Sequence, residues 1–304
     1  MNTTSYTIQF ENVSRRFGKV EAVSNLSLRF AEGRIFALLG KNGAGKTTLI
    51  KMMLGQLRPN FGTVRVLGLD PCEHNLEIRR KIGYVPERPR LYEWMSAEEI
   101  GRFAGAFYTP NYMDEFLRLL GQFHIDPSAK IKNLSKGLAA QVSLALALAG
   151  DPELLILDEP TGGLDVIVRR SFIESIIEWA AAGKTIFLSS HQVSEVERFA
   201  DDIGLIKKGV LVREEPLESI KERTKRIVLT FDAILSEDGS VEQALRKHFT
   251  EPISIARSGR MVEIVGLGTF DNLPKVGTAI AGARICSCDC VSMTLEDIFI
   301  ASVE

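Results

Sequence analysis

No apolar run in this sequence approaches the roughly 20 residues needed to cross a bilayer. The most apolar stretch, Val142 to Gly150, is cut off at once by Asp151-Pro152-Glu153. Met1 to Gly18 has no continuous apolar segment of signal-peptide type, so none is expected. Cysteine is scarce: there are four in 304 residues, three of them crowded at positions 286, 288 and 290. That is no disulfide framework and suits reduced thiols in a cytoplasmic protein. Neither sign of charge dominates, because 37 Lys and Arg against 39 Asp and Glu leave −2. A nucleic acid is therefore not expected as a partner, and no general attraction to anionic lipid arises. What remains is the composition of an ordinary globular protein, 45% hydrophobic and 25% charged, long enough for one large domain or two.

The chain reads as an α/β protein. Ile8 and Phe10, then Leu26, Leu28 and Phe30, then Val64 and Val66, alternate with polar neighbours, as in an antiparallel sheet with one wet face. Continuous apolar runs at Ile35 to Leu39, Leu154 to Leu157 and Ile186 to Leu188 read as strands buried on both faces of a parallel core sheet. From about Glu98 to Gly150 the spacing turns helical, which predicts a helical subdomain over about 88–150. A boundary is expected in the charged stretch Glu214 to Arg226, dividing a domain over 1–220 from an accessory domain over 221–304. The accessory domain reads as strand 227–231, helix 241–249, strands 253–256 and 261–265, helix 273–280, strand 284–291 and a closing helix 295–301. That is the β-α-β-β-α-β order of a small ferredoxin-like α+β domain.

Gly40-Lys41-Asn42-Gly43-Ala44-Gly45-Lys46-Thr47-Thr48 fits the phosphate-binding pattern G-x-x-x-x-G-K-[ST], with an apolar strand before it and a helical run after it. Glycines there let backbone N–H groups ring a phosphate at the positive end of a helix. Lys46 can reach the β- and γ-phosphates of ATP, the Thr47 hydroxyl can ligate Mg²⁺, and Thr48 can touch the α-phosphate. The strand Leu154 to Leu157 ends in Asp158-Glu159. A carboxylate at such a strand end holds Mg²⁺, a role that falls to Asp158. Glu159 is placed to act on the attacking water.

These motifs, taken in order, resemble the nucleotide-binding subunit of an ABC transporter over about residues 6 to 215. Leu134-Ser135-Lys136-Gly137-Leu138 stands where that family has its signature, Gly162-Gly163-Leu164-Asp165 resembles its D-loop, and His191 matches its switch histidine. Phe17 lies where the family places an aromatic that stacks on adenine. The resemblance implies a P-loop ATPase that binds and hydrolyses MgATP. Ser135 and Gly137 would bind the γ-phosphate held by a second ATPase subunit, identical or not. His191 would orient the water of Glu159, and Asp165 would link the two sites. The family also implies a separate integral membrane permease, which would hold the chain at the cytoplasmic face of the membrane.

Two departures stand out. Glu87 occupies the place of the family's Q-loop glutamine, so a carboxylate is available to the metal. Lys136 and Leu138 replace a Gly and a Gln of the signature. The aromatic-rich stretch Arg88 to Tyr112 stands where the family forms a groove for the permease. Cys286, Cys288 and Cys290 would share one face of a strand. The closing Leu295-Glu296-Asp297-Ile298-Phe299 resembles the tail of exporter-type cassettes, which favours export. The alternatives are a soluble ABC protein acting on ribosomes or DNA and an ATP-gated regulatory module with little turnover. The single phosphate loop and the short spacing from Lys46 to Ser135 disfavour the first of these.

Overall fold

A computed structural model describes residues 6–108, 110–235, 239–246, 251–267, 275, 277–280 and 282–303. Alternating patterning builds the first layer. β1 (Tyr6–Phe17) and β2 (Val20–Ala31) pair antiparallel and bury Ile8, Phe10, Val13, Val23, Leu26, Leu28 and Phe30. β3 (Ile35–Leu39), buried at every residue, leads through the glycine-rich loop into α1 (Lys46–Met53). β4 (Phe61–Val66) returns to pair with β1, so this sheet runs β2-β1-β4. α2 (Asn75–Lys81) then precedes the short strand β5 (Ile82–Val85).

The strand-free stretch forms α3 (Ala97–Gly105), α4 (Tyr112–Gln122), a single 3₁₀ turn at Ile131–Asn133 and α5 (Lys136–Leu148). Ser96 starts α3 with a reciprocal cap: its hydroxyl accepts from the Glu99 N–H (3.1 Å), and the Glu99 carboxylate accepts from the Ser96 N–H (2.6 Å). β6 (Leu154–Asp158), α6 (Val166–Ala181), β7 (Thr185–Ser190), α7 (Val193–Val196), β8 (Asp202–Lys207) and β9 (Val210–Pro216) complete the larger sheet. Its order is β5-β6-β7-β3-β8-β9, parallel from β5 through β8. Phe36 of β3 sits between Phe30 and Phe187, with ring centroids 5.2 and 5.6 Å away, and so joins the two sheets in one hydrophobic core. The C-terminal ends of β3, β6 and β7 converge, which is where an open parallel sheet places a ligand.

The chain divides into two compact units, Met1–Glu214 and Glu215–Glu304. The second comprises α8 (Leu217–Arg223), β10 (Thr224–Phe231), α9 (Ser240–Arg246), β11 (Glu251–Ser258), β12 (Met261–Leu267), β13 (Ala279–Ile280), β14 (Ala283–Ser292) and α10 (Leu295–Val303). Its sheet runs β11-β12-β10-β14-β13, with every described pairing antiparallel. Taken without β13, this is the strand arrangement of a split β-α-β domain. Ile227, Leu229, Phe231, Val241, Leu245, Val262, Ile264 and Ile285 form its own core.

Two expectations change here. Of the helix expected over 273–280, residues 273, 274 and 276 lie outside the described residues, as do 247–249 of the other helix. Ala279–Ile280 is a strand, turned back at Gly282 onto Ala283 and Arg284 of β14. The three cysteines do not share one face. A bulge between the pairs Thr230–Ser287 and Phe231–Ile285 inserts Cys286 as an extra residue and resets the alternation. Cys288 lies opposite Leu229 and packs on the core, while Cys286 is exposed. Burial pushes the Cys288 thiol up, with the neighbouring Cys290 and Asp289 adding to the shift. That keeps it protonated and unreactive. Among the described residues no group of three His, Cys, Asp or Glu is arranged to hold a metal.

Candidate functional site

The site begins with the loop between β3 and α1. The Gly40 N–H donates to the Ser190 carbonyl at the end of β7 (3.3 Å), and the Ala44 carbonyl accepts from the Gly209 N–H (2.9 Å). Both ends of the loop are thereby tied to the sheet. Gly45 caps α1 with φ 113°, and a Cβ there would meet the Ala22 carbonyl at 2.6 Å, so only glycine fits. No side chain caps α1 and no acidic residue lies in its first turn. Its leading N–H groups therefore face the pocket as an anion site. Lys46 opens the helix and is almost wholly buried. Its ammonium donates to the Gly40 carbonyl (2.6 Å) and lies 3.0 Å from Glu159 Oε1.

The acidic half comes from β6, whose apolar residues carry Asp158 to the same edge. Asp158 is 3% exposed. It accepts from Ser189 Oγ (2.7 Å) and Thr47 Oγ1 (3.1 Å). Burial raises its pKa, the charges of Glu159 and Glu87 add to the rise, and the two hydroxyl donors oppose it. A nearby cation would offset the same desolvation. The Tyr84 hydroxyl beside it is pushed up to about 12, by burial first and by the Asp158 charge second.

Glu159 takes a left-handed backbone, φ 48°. Its N–H donates to the Ser189 carbonyl (3.1 Å), which turns its side chain into the pocket. Oε2 accepts from the His191 N–H (3.2 Å) and lies 2.7 Å from His191 Nδ1. One carboxylate thus stands between the Lys46 ammonium and the His191 imidazole.

These side chains surround a cavity of about 280 Å³ lined by Ala22, Asn42, Gly43, Gly45, Lys46, Thr47, Thr48, Glu87, Glu159 and His191. Gly40 and Ala44 shape the loop from behind, and Asp158 sits behind Thr47. Glu87 is exposed at the mouth, with Arg88 at 3.8 Å. Phe17 does not line the cavity. It stands 47% exposed at the end of β1, with the Arg15 guanidinium 4.8 Å from its ring centre. Ser135 and Gly137 also stand apart from the cavity. Ser135 caps α5 by accepting from the Leu138 N–H (3.2 Å), and Gly137 is buried against Val168. Asp165 caps α6, accepting from the N–H groups of Ile167 and Val168 (3.1 and 3.0 Å).

Sequence reasoning missed Ser189, Arg15 and Arg169. Only Ser189 had a signal, as a polar residue ending an apolar strand. Arg169 donates to the Leu164 carbonyl (2.9 Å) and pairs with Glu195 (2.8 Å), bracing the turn after Glu159 against the segment after His191. Elsewhere, Tyr92, Trp94, Phe103 and Phe107 form an exposed ring-to-ring cluster with neighbouring centroids 5.7–6.1 Å apart.

Residues 23–162 match the family model described as ABC transporter. The chain is 34% identical over 251 residues to the bacitracin transport ATP-binding protein BcrA of Bacillus licheniformis, covering 81% of this chain and 80% of that protein. It is 36% identical over 216 residues to the Nod factor export ATP-binding protein I of Burkholderia lata, covering 68% and 70%. A solved dimeric structure of a bacterial ABC transporter cassette is similar with a TM-score of 0.61 and 27% identity, covering 69% of this chain and 98% of that one.

Proposed function

The chain belongs to the ABC transporter family as an ATP-binding, ATP-hydrolysing subunit, and on that footing we propose that its ATP hydrolysis drives export through a separate membrane permease. The observation that carries the catalytic part is Glu159, held between Lys46 and His191 at the mouth of the phosphate loop. A triphosphate entering the loop competes for the Lys46 ammonium, which frees Glu159 Oε1 to accept a proton from water. His191 keeps the other oxygen fixed. The leading N–H groups of α1 and the hydroxyls of Thr47 and Thr48 bind the phosphates.

The donor set fits Mg²⁺: a hydroxyl and a buried carboxylate within hydrogen-bond distance of each other, with a second carboxylate on the cavity wall, all hard oxygen ligands. Thr47, Asp158 and Glu87 would hold it. Once bound it neutralises charge on the phosphates.

Ser135, Gly137 and Asp165 lie outside the cavity: Ser135 and Gly137 act on a second subunit's nucleotide and Asp165 links the two sites, which makes the working unit a dimer. Phe17, stiffened by Arg15 on one face of its ring, offers the other face to adenine. The exposed cluster around Trp94 receives the permease, which supplies the membrane attachment. No described helix is long and apolar enough to cross a membrane. The name of the Nod factor export relative supports export, as does the C-terminal tail. Glu87 favours a second reading, an ATP-gated module with little turnover, because it adds negative charge beside the triphosphate. Steady-state ATPase assays with the subunit reconstituted with its permease separate the two. Absence of permease-stimulated hydrolysis would rule out the first.

Two expectations follow from the placement of single groups. Glu87→Gln should raise the Mg²⁺ concentration for half-maximal ATPase activity roughly thirtyfold. A unit charge about 4 Å from a divalent cation is worth about 2 kcal/mol in water. ATP affinity without Mg²⁺ should hardly change, and an unaltered Mg²⁺ titration would remove Glu87 from the metal site. A chain ending at Pro216 keeps every residue of the cavity. By calorimetry it should bind MgATP within about threefold of the full chain, as a self-contained domain does. A folded fragment that fails to bind would assign the second unit a part in nucleotide binding.

A further inference from the structure

Lys136 occupies the first turn of α5, immediately after the signature serine, with its ammonium donating to the Gly162 carbonyl at 2.9 Å. A side chain at Gly163 would occupy the place of that ammonium. Gly162 belongs to the turn that Glu159 begins and Asp165 ends, and its N–H donates to the Glu159 carbonyl (3.2 Å). One lysine therefore reaches from the helix that presents Ser135 to the turn that presents Glu159. The far side of that turn is held by Arg169, through the Leu164 carbonyl and Glu195.

The charge has no local reason to be there. A cation in the first turn of a 13-residue helix opposes the helix dipole, and Lys has no advantage over Met in helix propensity. Stability of α5 alone would favour losing it. The hydrogen bond is exposed in a single chain. It strengthens when a partner covers the loop, because water no longer competes for the carbonyl.

We propose that Lys136 is a positioning residue that ties the signature loop to the Glu159–Asp165 turn of its own chain, so that engagement of a partner's γ-phosphate is felt where Glu159 acts on the chain's own ATP. This rests on the dimeric ATPase reading above. The tie makes hydrolysis in the two sites cooperative, and it acts after ATP has bound.

The test is steady-state ATPase activity against ATP concentration for the full chain, Lys136→Met and Lys136→Arg, with thermal unfolding of each. Loss of one charge-assisted hydrogen bond predicts a kcat about tenfold lower for Lys136→Met. KM should stay within about twofold and the Hill coefficient should fall toward 1. The melting temperature should not drop, since the helix loses an unfavourable charge. Lys136→Arg, whose guanidinium reaches the same carbonyl, should recover most of the rate. Unchanged kcat and Hill coefficient in Lys136→Met would overturn the proposal. So would a raised KM accompanied by loss of the MgATP dimer in a Glu159→Gln background, which would place the ammonium on the partner's phosphate instead. A lower melting temperature with no rescue by arginine would reduce Lys136 to a structural role and overturn it equally. A wild-type chain without ATPase activity even when reconstituted with its permease would overturn the dimeric ATPase reading and this inference with it. An active wild type with an unaltered Lys136→Met variant overturns the inference alone.

Discussion

Lys46→Ala is expected to abolish measurable ATP binding. The ammonium is 5% exposed and answers at once to the Gly40 carbonyl and the Glu159 carboxylate. Without it, a triphosphate would approach a buried carboxylate with no intervening cation. Breaking a buried charge pair costs about 3–5 kcal/mol, a factor of roughly 10² to 4 × 10³ in Kd. Isothermal calorimetry reads this directly. The alanine also leaves Glu159 short of a partner and lowers the melting temperature. Lys46→Met combined with Glu159→Gln removes both charges together, so it should fold like wild type and still not bind. Binding at wild-type affinity in either variant would show that the loop grips phosphate by its backbone alone.

Glu159→Gln is expected to keep ATP binding and slow hydrolysis at least about a hundredfold, the usual worth of a positioned general base. The amide oxygen can still accept from the His191 N–H, now 3.2 Å from Oε2, so the geometry survives while the proton acceptor is lost. Unhydrolysed MgATP should then hold two chains together. Size-exclusion chromatography with and without MgATP would show the shift from monomer to dimer. Turnover within about threefold of wild type would assign the water to another group.

The placement of the phosphate loop, Asp158 and Glu159 was legible because each follows a strand that announces itself by its buried apolar run. The contacts that make a site of them were not legible. Lys46 meets Glu159, and Ser189 meets Asp158, only because β3, β6 and β7 lie side by side in an order that no local pattern encodes. Phe17 illustrates the limit: its place in the family pattern implies an adenine platform, but its Arg15 neighbour depends on register shifts in β1–β2 between Val13 and Arg16. In the second unit, strand spacing announced the sheet. The bulge at Cys286 was hidden, because Cys-Ser-Cys-Asp-Cys alternates perfectly until β10 pairs with it. Ala279–Ile280 falls within the expected helix over 273–280 because two residues cannot display a strand's period. Gly282 turns them into a hairpin.

The position of β3 bears on how the chain is made. β3 ends at Leu39, yet the strands on either side of it are β7, beginning at Thr185, and β8, beginning at Asp202. The phosphate loop is secured only when the Gly209 N–H reaches the Ala44 carbonyl. At ordinary rates of about 5–20 residues per second, a ribosome takes roughly 7 to 30 s to travel from Leu39 to Thr185. Through that interval Ile35-Phe36-Ala37-Leu38-Leu39 has two open sheet edges, the state in which nascent chains aggregate or are taken by chaperones. Nucleotide cannot shelter it, since the cradle does not yet exist. The emerging polypeptide can be steadied by its ligand only after Gly209 has been made, so ATP comes too late to protect β3 during synthesis.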